Sequence, residues 1–139
     1  MESKRTIFVF GSNREGRHGK GAALEARLNW GAKNGYAAGL VGNSYGIITK
    51  ELRPWAPKVT LAEINNSVKQ FLYFAKMHPE LEFRVTPIGC GLAGFKVEEI
   101  APMFGEAFGF NHPNVQLPPE FTDWLRLYND PYKAILGQS

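Results

Sequence analysis

Two glycine-rich stretches stand where backbone could do chemistry: Gly11-Ser12-Asn13-Arg14-Glu15-Gly16-Arg17-His18-Gly19-Lys20-Gly21 and Gly89-Cys90-Gly91-Leu92-Ala93-Gly94. Each follows a hydrophobic run and opens a helical pattern. Glycine lets the main chain approach a ligand closely, and a strand-loop-helix turn directs amide N–H groups and a positive helix end at whatever sits in the crevice, most often phosphate. Two such turns can grip one diphosphate from opposite sides. Arg14, Arg17 and Lys20 add positive charge beside the first loop, and they read equally as a solvated loop.

The elements that must position these loops follow from periodicity. Thr6 to Phe10 reads as a buried central strand and Lys20 to Ala32 as a helix. Tyr36 to Lys50 reads as a hairpin of short strands, Tyr45 to Thr49 being the best of them, and Glu51 to Lys58, with Pro54 and Pro57, as a connection. Thr60-Leu61-Ala62-Glu63 is a capping box. It opens a helix with Ile64, Val68, Phe71, Leu72 and Ala75 on one face, ended by His78-Pro79. Leu81 to Ile88 is a second long strand, Val97 to Phe108 a helix, Asn114 to Leu117 a short strand and Glu120 to Tyr128 a last amphipathic helix. The alternation predicts one α/β domain spanning 1–139, a three-layer α/β/α sandwich with a mixed central sheet.

Composition narrows the classes. The 139 residues carry a net charge of +3 without a basic stripe. No run approaches the ~18 apolar residues of a membrane span, so no membrane partner is expected. The apolar stretch in Met1 to Gly11 is too short for a signal peptide, so a cytoplasmic setting is the default expectation. Cys90 is alone and the three histidines are scattered, so neither a disulfide nor a metal or other cofactor is expected. A Walker loop fails, because Arg14 stands at its first glycine and Gly21 replaces its hydroxyl. Gly89 to Gly94 fits G-x-G-x-x-G, but no acidic residue lies in the 112–117 neighbourhood that a dinucleotide fold requires.

Taken together, the two loops resemble those of the macro domain family, the ADP-ribose-binding α/β/α modules, over roughly Ile7 to Phe104. Val9-Phe10-Gly11-Ser12-Asn13 resembles a divergent form of the family's asparagine-bearing signature. The resemblance implies that Asn13 holds the distal ribose and that Gly16 to Gly21 wraps that ribose and its phosphate. It also implies that Gly91-Leu92-Ala93-Gly94 cradles the diphosphate and that Phe95 flanks the ribose. Gly11, Ser12, Arg17, Gly19, Lys20, Gly21, Gly89 and Cys90 complete the expected ligand-binding set. Phe10 replaces the family's first asparagine, and Ala22 and Ala23 stand where many hydrolytic members carry an aspartate.

The ligand expected is therefore ADP-ribose or a related nucleotide, free or carried on an ADP-ribosylated protein or nucleic acid. The alternatives are hydrolysis at the distal ribose, of phosphatase or ADP-ribosyl hydrolase type, a non-catalytic reader, and an interaction domain with an unused pocket. For hydrolysis the candidates are Asn13 and His18, the latter being the loop's one imidazole, the side chain most used in general acid–base work. Against these stand an Asx-turn for Asn13, loop packing or phosphate binding for His18, core packing for Phe95 and a small space-filling residue for Cys90.

Overall fold

A computed structural model describes residues 4–109 and 111–128; the first three residues, on which part of the signal-peptide expectation rests, lie outside it. The order is β1 (Arg5–Asn13), α1 (Gly21–Asn29), β2 (Gly39–Val41), β3 (Ser44–Lys50), α2 (Leu61–Met77), β4 (Leu81–Val85), α3 (Val97–Ile100), a 3₁₀ segment (Ala101–Ala107), β5 (Val115–Gln116) and α4 (Pro119–Tyr128). The sheet runs β2-β3-β1-β4-β5. β1 pairs in parallel with β3 and β4, β4 in parallel with β5, and only the β2–β3 hairpin is antiparallel.

β1 explains the layers. Side chains alternate across a strand, so Phe8 and Phe10 pack with Ala23, Ala26 and Ala32 on the α1 side, with Trp30 stacked on Phe8 at 5.2 Å. Ile7 and Val9 enter the larger core on the opposite face with Ile64, Val68, Phe71 and Phe104. A strand covered on both faces is apolar throughout, as Ile7 to Phe10 are. The fold is the expected α/β sandwich on a mixed sheet.

α1 ends at Asn29, short of the expected Ala32, and β1 runs on past Phe10 to Asn13; two further elements depart from the periodic reading. The helix expected over Val97 to Phe108 divides into α3 and the 3₁₀ segment. Pro102 has no N–H to give the carbonyl of Glu98, so the α-helical ladder cannot run through it. β4 stops at Val85, short of Ile88, because the chain turns: the Thr86 amide donates to the Val9 carbonyl at 3.0 Å and the Ile88 amide to the Thr86 carbonyl at 2.6 Å. Among the described residues no helix is long and apolar enough to cross a membrane.

Candidate functional site

At the carboxyl end of β1 the chain departs to α1 on one face, and at the end of its neighbour β4 it departs to α3 on the other. Where connections diverge between adjacent parallel strands, a crevice opens beyond the strand ends. Here it is a cleft of about 860 Å³, and both glycine loops face it. That volume falls within the range of small-molecule sites. Gly11 is the point of closest approach: a Cβ there would lie 3.1 Å from Thr49 Oγ1 and 3.4 Å from the Gly89 amide nitrogen.

The first loop is held by its own side chains. The Asn13 carboxamide donates through Nδ2 to the Arg17 carbonyl at 2.7 Å, and its Oδ1 accepts from the Arg17 amide at 2.9 Å. Asn34 Oδ1 accepts from the His18 amide at 2.9 Å, and the Ser12 hydroxyl donates to the Ala37 carbonyl. Past these anchors the amides of Gly19 and Lys20 donate to nothing among the described residues. The first turn of α1 follows, its orphan N–H groups uncapped by the Lys20 side chain. Gly19 to Ala23 line the cleft.

Backbone alone closes the second loop. The Gly94 amide donates to the Gly91 carbonyl at 3.0 Å and the Phe95 amide to the Gly89 carbonyl at 2.8 Å. Gly89 has φ +75°, a left-handed conformation, and a Cβ on it would sit 3.2 Å from Ile100 Cδ1. The amides of Gly91, Leu92 and Ala93, all lining the cleft, have no acceptor among the described residues. Two sets of unspent amide donors thus border one space.

Charge there is mostly positive. Arg17, Lys20 and Lys50 line the cleft, and Glu120 from the first turn of α4 is its one lining carboxylate. Neither Lys20 nor Lys50 forms an ion pair among the described residues, while Arg17 meets Glu15 at 3.3 Å. Burial pushes the Cys90 thiol above its ordinary range, and the negative charges of Glu120 and Glu99 push it further. Both influences act against the thiolate, the form in which a cysteine is nucleophilic.

No protein-family model and no curated protein matches the chain. Among solved structures it is similar to a protein of unknown function from Bacteroides thetaiotaomicron, 18% identical, over 84% of this chain and 88% of that one, with a TM-score of 0.59. A likeness at that identity concerns the fold.

Of the expected site residues, Gly11, Ser12, Asn13, Arg17 and Gly19 to Gly21 meet Gly89 to Ala93 around the cleft. His18 corrects the sequence reading. Its ring is 1% exposed, lies edge-on to Phe10 at 5.3 Å, and places Nε2 3.1 Å from the Tyr36 carbonyl. It belongs to the α1-side core and does not line the cleft, because Asn34 and Tyr36 turn it inward. Gly94 and Phe95 also fall outside the lining; the Phe95 ring packs beside Gly89 and against the main core. Phe10 is 1% exposed in that same α1-side core.

Periodicity missed Thr49, Lys50 and Leu52 at the end of β3, the Thr86 to Ile88 approach, and Glu120. The first three had a signal, since the parallel neighbour of a central strand ends at the same crevice. Glu120 had a weaker one, Pro118-Pro119 fixing a helix start just before it.

Proposed function

We propose that this cleft binds ADP-ribose or a related nucleotide diphosphate derivative, in the manner the resemblance to macro domains implies. The observation that carries the reading is the convergence on one cleft of amides from two glycine loops, beside the ammonium groups of Lys20 and Lys50, all without partners among the described residues. Backbone donors combined with cations suit the two charges of a diphosphate. Capture is favoured over cleavage: His18 is turned into the core, and burial with the nearby carboxylates disfavours a Cys90 thiolate. Cleavage at the distal ribose has one observation of its own, the Glu120 carboxylate in the cleft, an acceptor for a water proton. In either case the ADP-ribose would be free or carried on a protein or nucleic acid.

Calorimetric titration tests the reading. ADP-ribose should bind at least about tenfold more tightly than AMP, a difference of about 1.4 kcal/mol, because only ADP-ribose spans both loops. A Cβ at Gly19 or Gly91 meets nothing within 4 Å and neither residue has a positive φ. Gly19→Val and Gly91→Val should therefore keep the wild-type circular dichroism and melting temperature while losing ADP-ribose. Equal affinity for AMP, or full binding by both variants, sinks the two-loop reading.

A further inference from the structure

The connection after β3, Glu51 to Lys58, belongs to none of the chemistry above except through Leu52 at the cleft wall. Its Trp55 is 80% exposed, in contrast to the usual burial of tryptophan. The segment is nonetheless held. Pro54 and Pro57 flank the indole, the Ala56 amide closes a turn on the Arg53 carbonyl at 3.2 Å, and Arg14 Nη1 donates to the Pro57 carbonyl at 2.5 Å. Arg14 also meets Glu63 at 2.9 Å, tying the segment to α2. A large aromatic face is therefore presented to solvent on a stiff support, which lowers the ordering cost of a contact.

The charges around it are sorted. Arg53 meets Glu51 at 2.7 Å, yet the Glu51 side chain is 1% exposed against 47% for Arg53. Arg17 meets Glu15, with side chains 77% and 25% exposed. At Glu15 and Glu51 the carboxylates face inward and their guanidinium partners Arg17 and Arg53 outward, the reverse of the Arg14–Glu63 pair, and Lys50 and Lys58 are free of ion pairs among the described residues. Residues 11–63 carry eight Lys and Arg against four Glu, whereas the rest of the chain carries eight against nine acids. The whole positive excess of the protein therefore lies within residues 11–63, the stretch that includes Arg17, Lys50, Arg53 and Lys58.

We propose that Trp55 and the cations around it form a docking surface for single-stranded nucleic acid, one base stacking on the indole while Arg53, Lys58 and Arg17 meet phosphates. Stacking on an aromatic face along a cationic track is how strands without fixed sequence are held. An acidic peptide satisfies the cations and leaves the indole without a planar partner. A duplex keeps its bases stacked on one another. Trp55 is three positions after Leu52, so their Cα atoms lie within about 11 Å and a bound strand passes the cleft mouth. Arg17 also lines the cleft, but Trp55, Arg53 and Lys58 do not, and the proposal stands on those three whatever the cleft holds.

Fluorescence anisotropy of the full chain with labelled oligothymidylate of about twelve nucleotides, unmodified, tests it. Binding should occur and weaken between roughly 50 and 200 mM salt. Trp55→Ala should cut affinity about tenfold and Trp55→Phe restore most of it. ADP-ribose titrations of both variants should match wild type, which keeps a failure here distinct from a failure of the cleft reading. Absence of binding, indifference to Trp55→Ala, equal binding of a duplex, or tighter binding of polyglutamate or of anionic lipid vesicles would each overturn the proposal.

Discussion

The amino-terminal ends of α1 and α2 carry the same kind of positive dipole and orphan amides, and the chain treats them oppositely. α2 is closed on itself: Thr60 Oγ1 accepts from the Glu63 amide at 3.2 Å, and Glu63 Oε1 accepts from the Thr60 amide at 3.2 Å. α1 begins at Lys20-Gly21-Ala22-Ala23 with no side-chain cap and no acid in its first turn. Leaving out a cap costs about 1 kcal/mol, and the helix that lacks one opens on the cleft. A helix end that its own sequence satisfies is structural. One left unsatisfied, beside two lysines without ion pairs among the described residues, suits a ligand that brings the missing anion.

The sharpest way to break that contrast is to give α1 what α2 has. Lys20 already holds the extended conformation of an N-cap, φ −147° and ψ 156°. Lys20→Asp should cap the helix and raise the melting temperature by about 4 °C, the equivalent of about 1 kcal/mol. The same carboxylate removes one cation and occupies the amides, so ADP-ribose affinity should fall at least about a hundredfold, as expected for losing charge-assisted hydrogen bonds. Calorimetry beside thermal denaturation checks both halves. A variant more stable than wild type with undiminished affinity would move the anion away from α1.

Asn13 gives a smaller effect and sharpens the same comparison. Its carboxamide is spent on the Arg17 backbone, so it holds the loop leading to the open end of α1. Asn13→Ala should weaken ADP-ribose binding by about tenfold, within the roughly 1–3 kcal/mol of a lost partner. Asn13→Asp keeps the acceptor for the Arg17 amide and loses the donor to its carbonyl, so its affinity should lie between the two. Calorimetric constants for the three proteins decide the order, and equal affinities would make Asn13 a turn residue only.

Much of the frame was legible in the sequence. The capping box at Thr60 and the apolar spacing from Ile64 to Ala75 need only local rules, and α2 follows them to within a residue. β1 runs on through Gly11, Ser12 and Asn13 because β3 pairs with them, Gly11 with Ile47 and Ser12 with Ile48, an effect of the neighbour and not of propensity. The facing of His18 depends on Asn34 and Tyr36, which the hairpin region brings over it, so no local pattern shows it. Asn114 is similar: its buried carboxamide shares its hydrogens among the carbonyls of Ala75, His78 and Leu81, closing the far end of α2 from a distant segment. Glu120 reaches the cleft only because α4 packs beside the 3₁₀ segment and α3.

The least effect is expected at the closed end. The hydrogen bond from Arg14 holds the Glu63 carboxyl below its ordinary value of 4.5, and the Thr60 amide lowers it further. A carboxyl depressed in the folded state stabilises the protein fully above its unfolded value and loses that contribution as pH falls through the folded one. Wild type should therefore lose some thermal stability between about pH 5 and pH 3 on account of this group, an effect that salt reduces because the pair is exposed. Glu63→Gln keeps the shape of the capping box and removes the charge, so the melting temperature should depend less steeply on pH over that window. Neither Thr60 nor Glu63 lines the cleft, and ADP-ribose affinity at neutral pH should be that of wild type. Were Glu63→Gln to lose ADP-ribose as Lys20→Asp is expected to, the two helix ends would not be independent, and the open end of α1 could no longer be read as the one kept for a ligand.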